Sequence, residues 1–491
     1  MAKTDQTAFR IDNFHTSIDS KTTLDVPTLG HHALTIRISH RRPFRLLRSR
    51  PVQRLVYLAL ALAGLQLYLL HSEYYGALIA KYSPTLFTRL SLQNEDLLAS
   101  THWQVDKDDT NGSRQQLLDN RQQWKRLGSG CEGDTFSFND SVIKFFKPRR
   151  SPLRNCMPNT ASKMRWPPEI PASLILGGLS DRLPDRIDFL PVFDYFLLPT
   201  SGSGSDTGQW HLVTPFLKSG TLEHLARRLQ SQKISQTAED IDVRYRSSFN
   251  RLLKALSTMH SQHELCHDDI KMDNIFVTDV NQSSNQSTTP SEKNAHWLLA
   301  DLGNARQPAH SYHSSLLWAH DNSQNTDCRI NDVVRLVKSY VLFLQSAVMA
   351  GEPRDTFNGV FLTASAPWSR LYWYTINSAY GRLNGTTAAR QILAMSSGVF
   401  TPGETATRSE LPWSSAPAME IHADGGDDWE GSSRPRLQRS SWGQWIWSGL
   451  GGSVDKAGLV RQQLRMGMKA SERWAKIYGT FGVLPIPSEQ C

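Results

Sequence analysis

The stretch LCHDDIKMDNIFV, Leu265 to Val277, decides how the rest of this 491-residue chain is read. His267, Asp268, Asp269, Lys271, Asp273 and Asn274 crowd into eight positions, and the apolar Ile275, Phe276 and Val277 follow at once. A helical pattern over Tyr245 to Gln262, through Phe249, Leu252, Leu253, Leu256 and Met259, delivers this knot. A further apolar run, WLLADLGNA from Trp297 to Ala305, ends in Asp301-Leu302-Gly303. A charged surface loop accounts for the polar residues but not for the strands on both sides of them.

Working outward, LGSGCEGDTFSFNDSVIKFF runs from Leu127 to Phe146. Gly128, Gly130 and Gly133 form GxGxxG, with Ser129 inside it; alone, this is a weak signal. Thr135 to Phe138 alternates, Asn139-Asp140 suits a tight turn, and Val142 to Phe146 reads as a second strand. A hairpin is therefore expected, unlike the strand–turn–helix of a dinucleotide fold. Two readings stay open on these residues alone: an ordinary Gly-rich hairpin with a chance lysine, or a backbone cover over phosphates with Lys144 reaching them. WPPEIPASLILGG puts Glu169 at the start of an apolar helix. By itself that is an acid complementing the helix dipole, yet a lysine buried near phosphates needs such a carboxylate. WHLVTPFLKSGTLEHL, Trp210 to Leu225, reads as a buried strand, an extended hinge with Pro215, then a helix.

The order glycine loop, strand lysine, helix glutamate, His267-Asp269-Lys271-Asn274 as HxDxKxxN, then Asp301-x-Gly303 resembles the protein kinase superfamily at each step. The resemblance covers roughly residues 120 to 395 and is weak over the last third. It implies an α+β, two-lobed kinase-like fold: a small antiparallel β lobe with one helix, then a larger α lobe. It implies ATP and Mg²⁺ as cofactors. Asp269 would meet the acceptor hydroxyl, and Lys271 would offset γ-phosphate charge as in Ser/Thr-type kinases. Asn274 and Asp301 would ligate Mg²⁺, and Lys144, held by Glu169, would clamp the α- and β-phosphates. Leu127 and Val142 would enclose the adenine, Thr214 would be the gatekeeper, and the backbone of Pro215, Phe216 and Leu217 would bond its edge. His267 reads as a structural hydrogen-bonding residue and Asp273 as solvated.

Departures from the family matter. Asp268 stands where an arginine usually pairs with a phosphorylated activation loop, which puts such control in doubt. No Ala-Pro-Glu lies between Gly303 and Asp332, so the segment that docks a peptide is atypical. Asp332 matches the family's buried acid at the start of a long helix.

Charge and hydropathy place the chain at a membrane. The formal net charge is +8, but residues 1–54 hold ten Lys and Arg against four Asp, and the remainder is close to neutral. No basic face for nucleic acid follows. Six arginines between Arg41 and Arg54 run into LVYLALALAGLQLYLL, Leu55 to Leu70. Sixteen helical residues cover ~24 Å against a ~30 Å hydrocarbon core, a short span. The arginine bias predicts a single-pass type II protein with its N-terminus cytosolic and the remainder lumenal (ER or Golgi) or extracellular. Asn111, Asn139, Asn281, Asn285 and Asn384 begin Asn-X-Ser/Thr triplets that this topology would expose to glycosylation. Five cysteines are too few and scattered for a disulfide scaffold, lack CxxC spacing, and leave their redox state open.

The expected organisation is a basic tail (1–54), a membrane helix (55–70), a stem (71–114), a kinase-like domain (115–218 and 219–395), a disordered acidic Gly/Ser segment (396–455), and a C-terminal helix and tail (456–491). Thr200–Gln209 and Val280–Asn294 have linker composition and read as surface loops between strands. The expected function is a membrane-anchored, ATP-dependent kinase acting on a Ser/Thr-type hydroxyl of a protein. Two alternatives stand beside it: a lumenal kinase for a glycan or small-molecule hydroxyl, and a pseudokinase scaffold.

Overall fold

The computed structural model describes residues 50–83, 85, 112–129, 133–146, 167–180, 188–199, 208–232, 236–278, 296–319, 322, 324–379, 381–398 and 455–465. Residues 1–49 of the expected cytosolic tail, residues 200–207, the Val280–Asn294 loop, and nearly all of the 396–455 segment lie outside these residues; Gly208 and Gln209, expected in a loop, already belong to a strand, because they pair with Pro199 and Leu198. Residues 1–64 and 65–491 form separate compact units. Of the first unit only part of one helix is described. That helix, α1, runs from Arg50 to Tyr82, 33 residues in place of the sixteen expected. It is long and apolar enough, by length and composition, to cross a membrane.

The second unit is mixed α+β. After α2 (Ser113–Asp119) come β1 (Lys125–Ser129), β2 (Gly133–Phe138), β3 (Ser141–Phe146), α3 (Glu169–Gly177), β4 (Asp194–Pro199) and β5 (Gly208–Pro215). The five strands form one antiparallel sheet in the order β1-β2-β3-β5-β4. The expected hairpin is present: Phe138 pairs with Ser141 across Asn139-Asp140, and Asn139 takes φ 50°, a left-handed value Asn tolerates. Because strand side chains alternate, β3 divides its residues between two cores. Phe146 packs with Leu212, Trp210, Ile170 and Leu174 beneath α3, while Ile143 packs with Leu117, Phe196 and Val213 on the opposite face. Lys144 shares the parity of Phe146, so its side chain is sent toward α3. Cross-strand pairs Val142–Thr214 and Lys144–Leu212 put Val142, Lys144 and Thr214 on that same face.

The chain then turns helical: α4 (Leu222–Gln230), α5 (Ala238–Ser261), the antiparallel pair β6 (Ile275–Thr278) and β7 (His296–Leu299), α6 (Cys328–Ala347), α7 (Glu352–Leu362), α8 (Pro367–Ala379), α9 (Gly385–Ser396) and α10 (Lys456–Leu464). A Thr237–Asp240 capping box starts α5, whose stripe Ile241, Tyr245, Phe249, Leu252, Leu256 and Met259 is fully buried. Val333, Leu336, Val337, Tyr340 and Leu344 of α6 complete the same core.

Three boundaries differ from expectation. The stem does not begin at residue 71. The last turns of α1 bury Ala77 and Leu78 against Tyr312, Leu317 and Trp318, because apolar residues return after the polar His71-Ser72-Glu73 and meet an apolar surface there. The folded region begins with α2, slightly before residue 115. Within the described residues the expected C-terminal helix spans Lys456–Leu464, and Arg465 is already extended. It is also not a separate appendage: Val460 and Leu464 join the main core, whereas Leu459 is half-buried.

Candidate active site

Two separate segments converge on Lys144 of β3. Its ammonium pairs with Glu169 Oε2 on α3 and lies 3.4 Å from Asp301 Oδ1, beyond the end of β7. Glu169 is 7% exposed, so its ionised form gains from the lysine what it loses in hydration. The sheet and the helical core thus meet at one cation. Lys144 chiefly, against the opposing effect of burial and with help from His267 and Lys271, holds the Asp301 carboxyl below the usual aspartate range. Asp301 takes a left-handed conformation, φ 58° and ψ 62°, in a non-glycine residue. Such strain persists where surrounding structure overrides it.

The knot between α5 and β6 is tied by hydrogen bonds. Lys271 Nζ donates to Asp269 Oδ2 at 2.8 Å. Asn274 Nδ2 donates to the Asp269 carbonyl at 2.9 Å and to Oδ2 at 3.3 Å. Burial would lower the Lys271 pKa, but Asp269, with Asp301 and Asp273, outweighs it and raises the value. Ala300 N donates to the Asn274 carbonyl at 3.0 Å, which joins the start of β6 to the end of β7 and brings Asp301 beside the knot. The Asn274 amide nitrogen is thus engaged while its Oδ1, and Asp301 Oδ2, make no hydrogen bond among the described residues. Two hard oxygen atoms of this kind suit Mg²⁺.

Behind the knot, Asp332 of α6 is fully buried and organises the loop. It accepts from the backbone of His267 at 2.6 Å and of Asp268 at 3.0 Å, and from His260 Nε2 at 3.2 Å. His267 is likewise fully buried, with its ring 3.0 Å from the Ala300 carbonyl. It is a structural hydrogen-bonding residue, as its sequence setting suggests.

The remaining candidate residues divide. Gly128 and Ser129 lie on β1 opposite Thr135 and Asp134, Leu127 is half exposed, and Gly130 is outside the described residues. Gly133 has a packing reason for being glycine: a Cβ there would sit 2.2 Å from the Phe145 carbonyl oxygen. The Phe216 N–H is committed to the Asp140 carbonyl at 2.8 Å, so the hinge groups open to a ligand are the Pro215 carbonyl and the Leu217 N–H.

Three features escaped sequence reasoning. Asp268, noted only as a departure, is 2% exposed at φ 62° and pairs with a buried arginine and a buried histidine. Arg306 Nη1 and His313 Nε2 each lie 2.8 Å from its Oδ2. Burial alone would raise its pKa, but His313, Arg306 and Arg335 hold it far below the carboxylate range. An acid at a position this enclosed signals a nearby cation, though nothing local says which. Asp273 is exposed yet not simply solvated: a hydrogen bond with Glu223 raises its pKa to about 6 and depresses that of Glu223. Cys266 and Cys328 form a disulfide with Cα atoms 6.0 Å apart. Together with Asp268 they bring three potential metal ligands within 4.8 Å, but the sulfurs are joined and the carboxylate is paired. Compared with known protein families and with curated proteins, the chain matches none.

Proposed function

We propose that this protein is a membrane-anchored, ATP-dependent kinase of two-lobed architecture, the sheet with α3 forming the small lobe and the helices the large one. The observation that carries this reading is the Lys144 ammonium, bound by Glu169 and 3.4 Å from Asp301, beside the Asp269–Lys271–Asn274 knot. Phosphoryl transfer is mainly positioning and charge neutralisation, and these are groups of the required sign. Lys144 holds the α- and β-phosphates. Val142, Thr214 and Leu127 border the adenine, with Leu217 N–H and the Pro215 carbonyl at its edge. Asp269 accepts the hydrogen of the acceptor hydroxyl and orients its oxygen. Lys271, fixed on Asp269, offsets charge on the transferring group. Asn274 and Asp301 would hold Mg²⁺, which when bound would neutralise charge on the phosphates.

The intact set of Lys144, Glu169, Asp269, Asn274 and Asp301 favours an enzyme over a pseudokinase scaffold. One observation favours a glycan or small-molecule acceptor as the second reading. Leu317 and Trp318, in the segment after Asp301 where a peptide kinase docks its substrate, are buried against Ala77 and Leu78. α1 supports membrane residence, and the Cys266–Cys328 disulfide fits an oxidising compartment, in line with a type II, lumenal or extracellular domain. Protease protection in intact microsomes, read beside a deglycosylation shift, tests that orientation; digestion from the cytosolic side with no glycan would reverse it.

Activity is tested with the full chain in detergent micelles, labelled ATP and Mg²⁺, against protein and glycan acceptors. Asp269→Asn should abolish transfer while leaving nucleotide affinity largely intact. Wild-type turnover in that variant would remove Asp269 from the mechanism.

A further inference from the structure

A partly open cavity of about 320 Å³ lies away from Lys144, lined by α6, α8, α10 and the loop before α6. Asn331, Val334, Arg335 and Lys338 line it from α6 at positions i, i+3, i+4 and i+7, one helical stripe. Its lining includes three bases and six carboxamides and no acid. The two α6 bases differ. Arg335 is anchored, donating to the Asp268 carbonyl and, at 3.0 Å, to Gln324 Oε1, with its guanidinium 5.4 Å over the Trp318 ring. Lys338, one turn on, makes no hydrogen bond or ion pair among the described residues. Arg465 contributes a third cation from the end of α10.

A half-buried ammonium next to a guanidinium is unfavourable unless something offsets both charges. Burial, with the added effect of Arg335, lowers the Lys338 pKa, as expected of a cation lacking its counter-charge. Neutral carboxamides cannot supply that charge; those of Asn322, Gln324, Asn325 and Asn331 donate to backbone carbonyls, and those of Gln462 and Gln463 can offer N–H donors to oxyanion oxygens. The volume exceeds what a bare tetrahedral ion needs, leaving room for a small hydroxyl-bearing body.

We propose that the cavity is a binding site for a phosphate or sulfate group, held by Lys338, Arg335 and Arg465 and carried on a ligand no larger than about a sugar phosphate. The site is separate from the Lys144 centre and does not depend on the kinase reading. It touches the knot at one point, the Arg335 bond to the carbonyl of Asp268, one residue before Asp269.

The test titrates inorganic sulfate, and separately inorganic phosphate, into the full chain in detergent micelles at ionic strength held constant with chloride. Thermal denaturation and calorimetry are the readouts. The expected result is a saturable rise in Tm, with affinity reduced at least tenfold in Lys338→Gln and less steeply in Arg465→Gln. Without anion, Lys338→Gln should melt at or slightly above wild type, because it removes an uncompensated cation. Exposed Lys254→Gln should change nothing. The proposal is overturned by a response that never saturates, by equal affinity in both cavity variants and wild type, or by equal loss in Lys254→Gln. Loss of sulfate binding on adding MgATP would assign the ion to the surroundings of Lys144 and overturn it as well. If Lys338→Gln does not fold, Arg465→Gln alone decides, since Arg465 is exposed.

Discussion

Asp268→Asn isolates the charge of the most enclosed carboxylate in the loop. Asn has nearly the same volume and tolerates the left-handed backbone at φ 62°, where alanine would add roughly 1 kcal/mol of strain. What remains is electrostatic. Arg306 is 1% exposed and cannot recover water when its partner is neutralised. Its further contacts are the Asn304 carbonyl at 3.0 Å, the Lys81 carbonyl at 3.3 Å and the face of Tyr312, all neutral. Breaking a buried pair from one side costs about 3–5 kcal/mol. Coulomb's law at an effective dielectric near 20 gives about 4 kcal/mol for charges ~4 Å apart, the same range. A domain of this size loses ~2–4 °C per kcal/mol, so the midpoint should fall by roughly 10 °C. Differential scanning calorimetry on Asp268→Asn, Arg306→Met and the double variant supplies the cycle. The double variant should cost at least ~1 kcal/mol less than the sum of the singles. Strict additivity, or a fall under 2 °C for Asp268→Asn, would refute the claim that this pair locks the segment after Asp301.

Lys144→Met should cut kcat/KM by several orders of magnitude; a tenfold or smaller loss would point to another phosphate clamp. His211 is fully buried, stacked on Phe196, and burial lowers its pKa from 6.5 to about 4. Its unfolded form therefore binds a proton first as pH falls, so stability should drop between pH 6.5 and about 4, by up to about 3 kcal/mol. His211→Phe should flatten that part of a chemical-denaturation pH series; an unchanged slope would exonerate His211. The disulfide closes a separation of 62 residues, for which chain entropy gives about 4 kcal/mol. Cys328→Ser should lower the denaturant midpoint accordingly, and peptide mapping without reductant should recover the 266–328 cross-link; free thiols at both positions would exclude it.

Much of the candidate site was legible because its signals are local. HxDxKxxN fixes four residues within eight positions, and the alternation of Val142 to Phe146 already implies that Lys144 shares a face with Phe146. The companions of Asp268 were not legible. Arg306 and His313 lie 38 and 45 residues away, and no periodicity links them to it. Cys266 and Cys328 posed the same problem, since scattered cysteines do not encode their pairing. α10 was legible as a helix, but its burial was not: a nine-residue segment whose apolar residues are few says little about the surface it meets. The extension of α1 to Tyr82 was not legible, because His71, Ser72 and Glu73 interrupt the apolar run without ending the helix.

Pro199 pairs with Gly208 and Thr278 pairs with His296, each the last rung of an antiparallel ladder. Chain that leaves and returns at one rung has its ends about 5 Å apart, whatever lies between. Both connections are therefore natural grafting points. Either can be cut to a two-residue Asn-Gly turn to give a smaller crystallisable chain, or opened to receive a fluorescent reporter. The ladder, rather than the intervening sequence, carries the register in both places.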